Sequence, residues 1–442
     1  MGLERWTTKT FDQCAELVRD TVHPSEVRGQ RYIGLEHIIP GQLSLCGYGL
    51  ADEVTSAKCR FKKGDILFGK LRPYFRKVIL APFDGVCSTD IWVVRSKPGM
   101  AQRYLFYWMA SPSFIEESTR ASEGTRMPRA QWEFVGRIRK PVPSLVEQRA
   151  IACVLGSLDD KLELNRRTNR TLEEMSQAIF KSWFIDFDPV RAKAAVRREH
   201  PKWTDEQVSR AACPSLKPEI ARLFPDSFVD SELGQIPKGW RVQSFTDGIE
   251  VIGGGTPKTS VRELWGGEIP WFSVADTPAP GDVFAISTEK TITREGLNSC
   301  SARILPVGTT IISARGTVGN LALVGVPMAM NQSCYGLRPR HGQRGYYLYF
   351  ATKALVEILR QRAHGSVFNT ITRETLSGTQ VVAPPRDLIE AFEGVASALL
   401  ERILADQRQS STLAALRDAL LPKLLSGELR VADAERIAAR YA

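Results

Sequence analysis

Residues 151–184 have the sequence IACVLGSLDDKLELNRRTNRTLEEMSQAIFKSWF, and this stretch decides the fold. Its apolar residues recur at alternating spacings of four and three, at Ile151, Leu155, Leu158 and Leu162 and again at Leu172, Ile179 and Trp183. This pattern is typical of a long amphipathic helix that packs on a second helix. Asn165 and Asn169 occupy the seam positions between the two groups. Polar seam residues fix the register at a cost in stability; the alternative is that both face solvent.

A second stretch of this kind, residues 386–429, supplies a partner helix. Its apolar positions are Phe392, Val395, Leu399, Leu413, Leu420 and Leu424. Asp406, 241 residues after Asn165, repeats the polar break, and Pro422 is expected to end or kink the helix near residue 421. Because one amphipathic helix cannot bury its own apolar stripe, we predict that the two helices pair with each other, antiparallel, and hold a globule at each end.

The chain also repeats itself at a long and nearly constant offset. The matching segments are YIGL (32–35) with WFSV (271–274), GDILFGKLR (64–72) with GTTIISAR (308–315), YLFY (104–107) with YLYF (347–350), and GT (124–125) with GS (365–366). Their offsets lie between 239 and 244 residues. We interpret residues 236–430 as a duplicate of residues 1–190.

The first part of each repeat has the pattern of a mixed α/β domain. Runs rich in β-branched and aromatic residues, such as 77–80, 91–94, 309–312 and 321–324, predict strands, and residues 101–120 and 345–363 predict helices. The expected fold class is α+β, with two mixed α/β domains joined by two long antiparallel coiled-coil helices and a pseudo-twofold internal duplication. The predicted parts are a first globule (1–143), the first long helix (144–190), a linker (191–235), a second globule (236–385), and the second long helix with a C-terminal tail (386–442).

Composition and charge narrow the class of protein. The 442 residues are 43% hydrophobic and 24% charged, which is ordinary for a globular protein and excludes a disordered or collagen-like chain. The net charge of +10 favours a polyanionic partner such as nucleic acid, although many basic proteins bind nothing acidic. The sequence has no apolar run long enough for a membrane span and no signal-peptide core. The eight cysteines are scattered, without CxxC spacing, which predicts reduced buried thiols, no metal site and a cytoplasmic location.

The motifs of several catalytic families are missing from the sequence. It contains no GxxxxGK[ST] phosphate loop, no Pro-Pro-aromatic motif of an amino-methyltransferase, no GxSxG and no HExxH. Asp159-Asp160-Lys161 resembles part of a Mg²⁺-dependent nuclease site, but its position favours a solvated helix face. Gly253-Gly254-Gly255 favours a flexible loop. We therefore predict a non-catalytic binding protein with no cofactor of its own.

Basic stretches with interleaved aromatic residues point to DNA as the partner. Residues 60–77 carry seven cations against one Asp, and residues 120–140 and 338–362 are also basic. Such clusters neutralise phosphates, whereas Arg and Asn side chains also read guanine and adenine. The candidate DNA-binding residues are Lys70, Arg72, Tyr74, Arg76, Lys77, Arg126, Arg129, Lys258, Arg315, Asn320 and Asn369. Of these, Lys70, Arg76, Lys77 and Lys258 are expected to hold the DNA backbone, and Arg72 and Arg315 to read bases.

The chain resembles the specificity subunit of type I restriction-modification systems over essentially its whole length. The segments that carry the resemblance are GDILFGKLRP (64–73), CSTD (87–90), PSLVEQRAI (143–151), KSWFIDFDPV (181–190), DSELGQIPKGW (230–240), IPW (269–271) and LLPKLLSGEL (420–429). The most specific of them are WFIDFDP and LPKLLSGEL. The seam is less regular than in the family around residues 406–411.

The resemblance implies that each globule is a target recognition domain that reads one half of a bipartite, asymmetric DNA site. It implies that the paired helices set the spacer and dock two modification subunits, which bring S-adenosylmethionine. Restriction subunits would add ATP- and Mg-dependent translocation and cleavage, so this chain would choose the DNA and perform no chemistry.

Two other classes of function stay open at this point. A structural or interaction protein would use the coiled coil to dimerise and the globules to bind other proteins, although the basic loops argue against it. An enzyme with an unrecognised site would bind S-adenosylmethionine by itself.

Overall fold

The computed structural model describes residues 6–120, 128–340, 345–362 and 370–440. The chain forms two compact units, which we call the first unit (residues 1–165 and 409–442) and the second unit (residues 166–408). Each unit combines sheets with helices and includes part of each long helix. The α+β class with two mixed domains and two long paired helices is therefore confirmed.

The first unit contains two larger sheets and a two-stranded ribbon. Its strands are Thr7–Thr10 (β1), Ala15–Val18 (β2), Thr21–Val22 (β3), Arg31–Ile33 (β4), Gly49–Leu50 (β5), Lys58–Phe61 (β6), Ile66–Gly69 (β7), Val78–Leu80 (β8), Gly85–Cys87 (β9), Ile91–Ser96 (β10) and Arg139–Val142 (β11). Its helices are Phe11–Cys14 (α1), Gln102–Ala110 (α2), Pro112–Arg120 (α3), Trp132–Val135 (α4) and the start of Leu145–Phe184 (α5). The sheet orders are β2-β10-β7-β8 and β3-β6-β9-β4-β5, and β1 pairs with β11.

The sequence of β10 explains its position inside a sheet. Ile91, Trp92, Val93 and Val94 are all buried, since β10 pairs with β2 on one side and β7 on the other while its two faces contact different cores. β-Branched and aromatic side chains favour such a strand. Helix α2 covers one face of this sheet with buried aromatic side chains.

The second unit repeats this plan. Its helices are Asp188–Glu199 (α6), Asp205–Ala212 (α7), Pro218–Ala221 (α8), Arg294–Asn298 (α9), Tyr346–Arg362 (α10), Arg373–Ser377 (α11) and most of Arg386–Ser426 (α12). Its strands are Phe228–Ser231 (β12), Gly234–Pro237 (β13), Arg241–Ser244 (β14), Ile249–Gly253 (β15), Trp265–Phe272 (β16), Phe284–Ala285 (β17), Lys290–Ile292 (β18), Thr310–Ser313 (β19), Leu321–Val324 (β20), Ala329–Met330 (β21), Cys334–Pro339 (β22) and Gln380–Ala383 (β23). The sheet orders are β15-β22-β19-β20-β17 and β18-β16-β21, with the ribbons β14-β23 and β12-β13. After α12, Val431–Ala438 (α13) returns to the core of the first unit.

The elements predicted from the globule sequences are present. The four predicted strands correspond to β8, β10, β19 and β20. The helix predicted over residues 101–120 is split into α2 and α3 at Ser111, and the helix predicted over 345–363 is α10.

The long helices differ from prediction at their ends. Helix α5 stops at Phe184 rather than at residue 190, because Phe187 adopts a left-handed conformation (φ 56°) and Pro189 opens α6. Residues 191–235, predicted as a linker, continue α6 and form α7, α8 and a hairpin. Pro422 does not end α12 near residue 421, since the helix continues to Ser426 with the proline inside it. Leu424 and Leu425 are buried beyond it, and this packing holds the last turn.

In the first unit, the two long helices pack through aliphatic side chains. The buried seam residues here are Leu155, Leu158 and Leu162 of α5 and Leu413 and Leu420 of α12, all in one core. All five lie at positions that the sequence pattern predicts for the seam.

The pairing of the helices in this unit is antiparallel. Asp159 of α5 binds Arg417 of α12, with 2.9 Å between Oδ1 and Nη1. Further along α5, the amide nitrogen of Asn165 donates to Gln409 Oε1 at 3.0 Å and to Ser410 Oγ at 3.1 Å. Since later residues of α5 meet earlier residues of α12, the chain directions are opposite.

The polar seam residues are buried, which excludes the alternative that they face solvent. Asn165 is 2% exposed and Asn169 is 1% exposed, and Asp406, the repeat of the polar break, is 3% exposed. Asn165 bonds to polar groups of α12, whereas Asn169 bonds to Asp282 of the second globule.

In the second unit, the helix pairing is largely aromatic. Phe180 and Phe184 of α5 pack on Phe392 of α12, with ring centroids 5.7 Å and 5.4 Å away. Leu172 and Ile179, both predicted in the seam, are half-buried against this core.

Leu399 is a correction to the predicted seam. It is only half-buried, whereas Leu400 and Ile403 are fully buried in the core of the second unit. Leu399 and Leu400 are separated by about 100° around the helix, so the position of α5 decides which of them is covered.

Asp159 is half-buried, contrary to the predicted solvated helix face, whereas Asp160 is exposed as predicted. Asp159 accepts hydrogen bonds from Arg417 and from the hydroxyl of Tyr107 (2.6 Å), and Asp160 binds Arg103 (2.6 Å). Arg417 is 2% exposed. Burial opposes its charge, yet Asp159 and Asp418 keep the pKa of Arg417 above its ordinary value.

Candidate nucleic-acid interface

The first unit presents a closed loop after β7, which we call the first loop (residues 70–77). At its base, the Gly69 N–H donates to the Lys77 carbonyl at 2.8 Å. The Lys70 N–H donates to the Asp90 carbonyl at 2.9 Å, and residues 71 and 129 form an isolated β-bridge. The backbone of the first loop is thus held on both sides.

The second unit has an equivalent loop after β19, which we call the second loop (residues 314–320). The Ser313 N–H donates to the Asn320 carbonyl at 2.9 Å, and the Ala314 N–H donates to the Ser333 carbonyl at 2.7 Å. Arg315 forms an isolated bridge with Thr370. Each of these contacts matches one at the first loop, 241 to 244 residues earlier. The duplication inferred from weak sequence matches is therefore also seen in the hydrogen bonds and bridges that close the two loops.

The first loop exposes one cation and two aromatic rings. Arg72 is exposed and has a left-handed backbone (φ 51°), which places it at a sharp bend. Tyr74 and Phe75 are 51% and 41% exposed, with ring centroids 4.8 Å apart. Exposed rings beside a cation form a surface that is suited to bases and phosphates.

Arg129 borders the first loop and is held in one orientation by Asp90. Its Nε lies 2.9 Å from Asp90 Oδ1, and its Nη2 lies 3.4 Å from Oδ2. Hydrogen bonds to Asp90 raise the pKa of Arg129, and about half of its side chain stays exposed. A guanidinium fixed in this way presents its remaining donors in a defined plane.

Arg76 and Lys77 have partners inside the protein. Arg76 Nε donates to the Ala110 carbonyl at 2.8 Å, and its Nη2 lies 3.2 Å from Asp418 Oδ1. Lys77 Nζ donates to the Leu35 carbonyl at 2.5 Å. Both were predicted to hold the DNA backbone, but each is half-buried and has donors bound to groups of the protein, which leaves fewer of them for phosphates. Lys70 is half-buried in the same loop.

In the second unit, two of the predicted DNA-binding cations are exposed: Arg315 on the second loop and Lys258 on the segment after the triple glycine. Asn320 closes the second loop and is half-buried. The Thr256 hydroxyl donates to the side chain of Gln332, within the segment that contacts the second loop. Lys258 lies two residues after Thr256 on this segment.

The triple glycine before Lys258 is packed, not a flexible loop as predicted. A Cβ atom on Gly254 would lie 1.9 Å from the Asn331 carbonyl oxygen, and one on Gly255 would lie 2.4 Å from the Ala302 nitrogen. The Gly255 N–H donates to the Met330 carbonyl at 3.0 Å. These glycines permit a close approach between two backbone segments.

Two candidate residues, Arg126 and Asn369, lie outside the described residues. The eight cysteines are free. Four are buried, Cys59 and Cys300 are half-buried, and Cys46 and Cys153 are exposed, so the expectation of buried thiols is wrong for the last two. Among the residues described, no three His, Cys, Asp or Glu side chains are grouped to hold a metal ion. Across the same ranges, no helix is both long and apolar enough to cross a membrane.

The sequence alone did not identify Asp418 as the partner of Arg76 or Arg417 as the partner of Asp159. Arg417 and Asp418 lie within the second long helix, where a charged pair usually indicates a solvated face. Only the antiparallel register brings Arg417 to Asp159 and Asp418 to Arg76.

Comparisons with known proteins agree with the duplicated plan. A family model described as the type I restriction modification DNA specificity domain matches residues 50–174 and again residues 237–387. The HindI specificity subunit of Haemophilus influenzae is 28% identical over 408 residues, which cover 84% of this chain and 88% of that protein. The MjaIX specificity subunit of Methanocaldococcus jannaschii is 32% identical over 188 residues, 42% of this chain and 44% of the relative.

A solved structure has the same fold. The type I restriction-modification S subunit from M. genitalium aligns with a TM-score of 0.53 at 16% identity, over 95% of this chain and 96% of that one. At this identity, the likeness is one of fold.

Proposed function

This chain belongs to the type I restriction modification DNA specificity family and carries two copies of its domain, and from that premise we propose that each copy reads one half of a split DNA site. The first loop, with Arg129 beside it, contacts one half-site. The second loop, with Lys258 nearby, contacts the other. The protein acts in the cytoplasm as the specificity subunit and carries out no chemistry itself.

The observation that carries this proposal is the pair of equivalent loops. Each follows a buried strand, is closed by the same backbone hydrogen bonds and presents an exposed arginine in its first half. Arg72 and Arg315 read bases, since a guanidinium binds guanine in the major groove through two parallel hydrogen bonds. The net charge of +10 supports attraction to the phosphates.

The paired helices set the spacing between the half-sites and bind two modification subunits. Helix α5 has 40 residues and is therefore about 60 Å long at about 1.5 Å per residue. It exposes Val146, Leu164 and Met175, which are large apolar side chains available to a partner. S-adenosylmethionine is bound by those modification subunits, and ATP and Mg by restriction subunits.

The test is a methylation map of the host genome, read by single-molecule sequencing for N6-methyladenine. Deleting the gene should remove one split motif, with two short halves around a fixed spacer. An unchanged map in cells that express the protein would contradict the proposal.

Arg72→Ala and Arg315→Ala are a matched pair for the same map. Each should relax one base position in a different half of the motif, at a cost of about 1–3 kcal/mol in discrimination. Loss of specificity in both halves with either variant would overturn the assignment of one loop to one half-site.

A further inference from the structure

The first loop is tied to a long helix by one side chain. Arg76, the penultimate residue of the first loop, has a left-handed backbone (φ 49°). Its guanidinium bridges two helices, with Nε on the Ala110 carbonyl at the end of α2 and Nη2 on Asp418 of α12. Its side chain is 18% exposed. A strained arginine whose donors point inward is held by its surroundings and not by solvent.

The contact continues from Arg76 into the helix pair. Asp418 Oδ1 also accepts from Arg417, at 3.1 Å from Nε and 3.0 Å from Nη2. Arg417 in turn binds Asp159 of α5, and the other oxygen of Asp159 accepts from Tyr107 of α2. The first loop, α2, α12 and α5 are therefore connected through one charged network within the first unit.

The second loop has no such side chain. Gly319, 243 residues after Arg76, occupies the equivalent position and also has a positive φ of 85°. A Cβ atom there would lie 2.7 Å from Cγ1 of Val356, so the second loop rests directly on α10. The left-handed bend is shared by the two loops, whereas the link to a long helix belongs to the first.

We propose that Arg76 is a positioning residue, which fixes the first loop against α12 so that Arg72 and Tyr74 meet the bases of one half-site in the correct orientation. This rests on the proposed function of the first loop. Arg76 itself does not contact DNA. Its effect is confined to one half-site, because the second loop is seated without it.

The test uses the full-length chain and a duplex selected by it from random DNA, with base changes in either half. Arg76→Gly removes the side chain while permitting the left-handed backbone, and it copies the second loop. We expect about tenfold weaker binding to the selected duplex. Discrimination should fall in the first half only, with an unchanged slope of log affinity against log salt.

Asp418→Asn provides the second arm, because it changes the helix end of the link and leaves the loop sequence intact. It should reproduce the one-sided loss, and the double variant should be no weaker than Arg76→Gly alone, which is the signature of coupled residues. Arg76→Lys should recover part of the discrimination. If the slope of log affinity against log salt were lower by about one in Arg76→Gly, Arg76 would instead contact a phosphate. That outcome would overturn the proposal, as would equal losses in both halves.

Arg72→Ala, measured in parallel, separates this proposal from the function on which it rests. If Arg72→Ala leaves discrimination unchanged in both halves, the first loop is not a reader and the proposed function fails. If Arg72→Ala acts on one half but Arg76→Gly has no effect, only the positioning role fails.

Discussion

The two ends of the helix pairing are built from different contacts. In the first unit, α5 and α12 meet through leucines around the buried Arg417–Asp159 ion pair. In the second unit, the same two helices meet through Phe180, Phe184 and Phe392. The duplication has thus preserved the spacing of buried positions without preserving the chemistry. The difference teaches that an apolar repeat predicts where a helix is covered, but not by what.

The largest loss of stability is expected where the two long helices meet through aromatic rings, in the second unit. Phe392 is fully buried and packs on several rings, so Phe392→Ala should lower the free energy of unfolding by about 4 kcal/mol through lost burial and a cavity. Urea denaturation measures the loss, and hydrogen exchange should locate it in residues 386–408. Leu413→Ala is the matched variant at the aliphatic end, with an expected loss of about 3 kcal/mol located in residues 409–426. Faster exchange at both ends in either variant would contradict separate packing.

The next largest loss of stability is expected from breaking the ion pair between Arg417 and Asp159. Arg417→Met should lower the free energy of unfolding by about 3 kcal/mol, because it leaves Asp159 paired only with the Tyr107 hydroxyl. Adding Asp159→Leu should recover most of that loss, since a buried ion pair is often replaced by apolar side chains without cost. The double variant, measured by the same denaturation, is the control. If it is no more stable than Arg417→Met, the loss comes from packing and not from an unpaired carboxylate.

These residues also mark the limit of what the sequence can predict. Most of the seam leucines and the main globule strands follow from the periodicity of the local sequence. The duplication follows from the constant offset between matching segments. Arg417 and Arg76 could not be placed in this way. One lies in a helix and the other in a basic run, where neighbouring cations have the same appearance. Their partners lie 258 and 342 residues away in sequence, so that only the antiparallel register reveals them.

The two globules also differ in the side chains that lie beneath their two-stranded ribbons, β1-β11 in the first and β14-β23 in the second. In the first, Trp108 lies beside Phe11, and the ammonium of Lys140 lies 5.6 Å from the Trp108 ring centroid. In the second, Ala351 occupies the position of Trp108, 243 residues later, and Val381 occupies that of Lys140. A cavity of about 510 Å³ lies there, lined by Phe245, Ala351 and Val381 among others. The first globule fills this space with an aromatic ring and a cation, and the second leaves it open.

The smallest expected effect follows from Lys140, whose side chain is half-buried. Burial lowers the pKa of Lys140 to about 8, and the nearby Glu117 opposes the shift only in part. The unfolded chain, with a lysine pKa of about 10.4, binds more protons than the folded chain between those two values. Stability attributable to Lys140 should therefore be lowest below pH 8 and should rise up to about pH 10.4, by at most about 1.4 kcal/mol per pH unit.

Lys140→Met isolates this contribution, because the titrations of all other cysteines, tyrosines and lysines are common to both proteins and cancel in the difference. The variant should be the more stable protein at pH 7, and its advantage should shrink as the pH rises through 8. Parallel stability curves from pH 7 to pH 10, measured by urea denaturation, would mean that water reaches the ammonium group in the folded state. In that case the first globule would be as open beneath its ribbon as the second, and the contrast between Trp108 and Ala351 would be one of shape and not of charge.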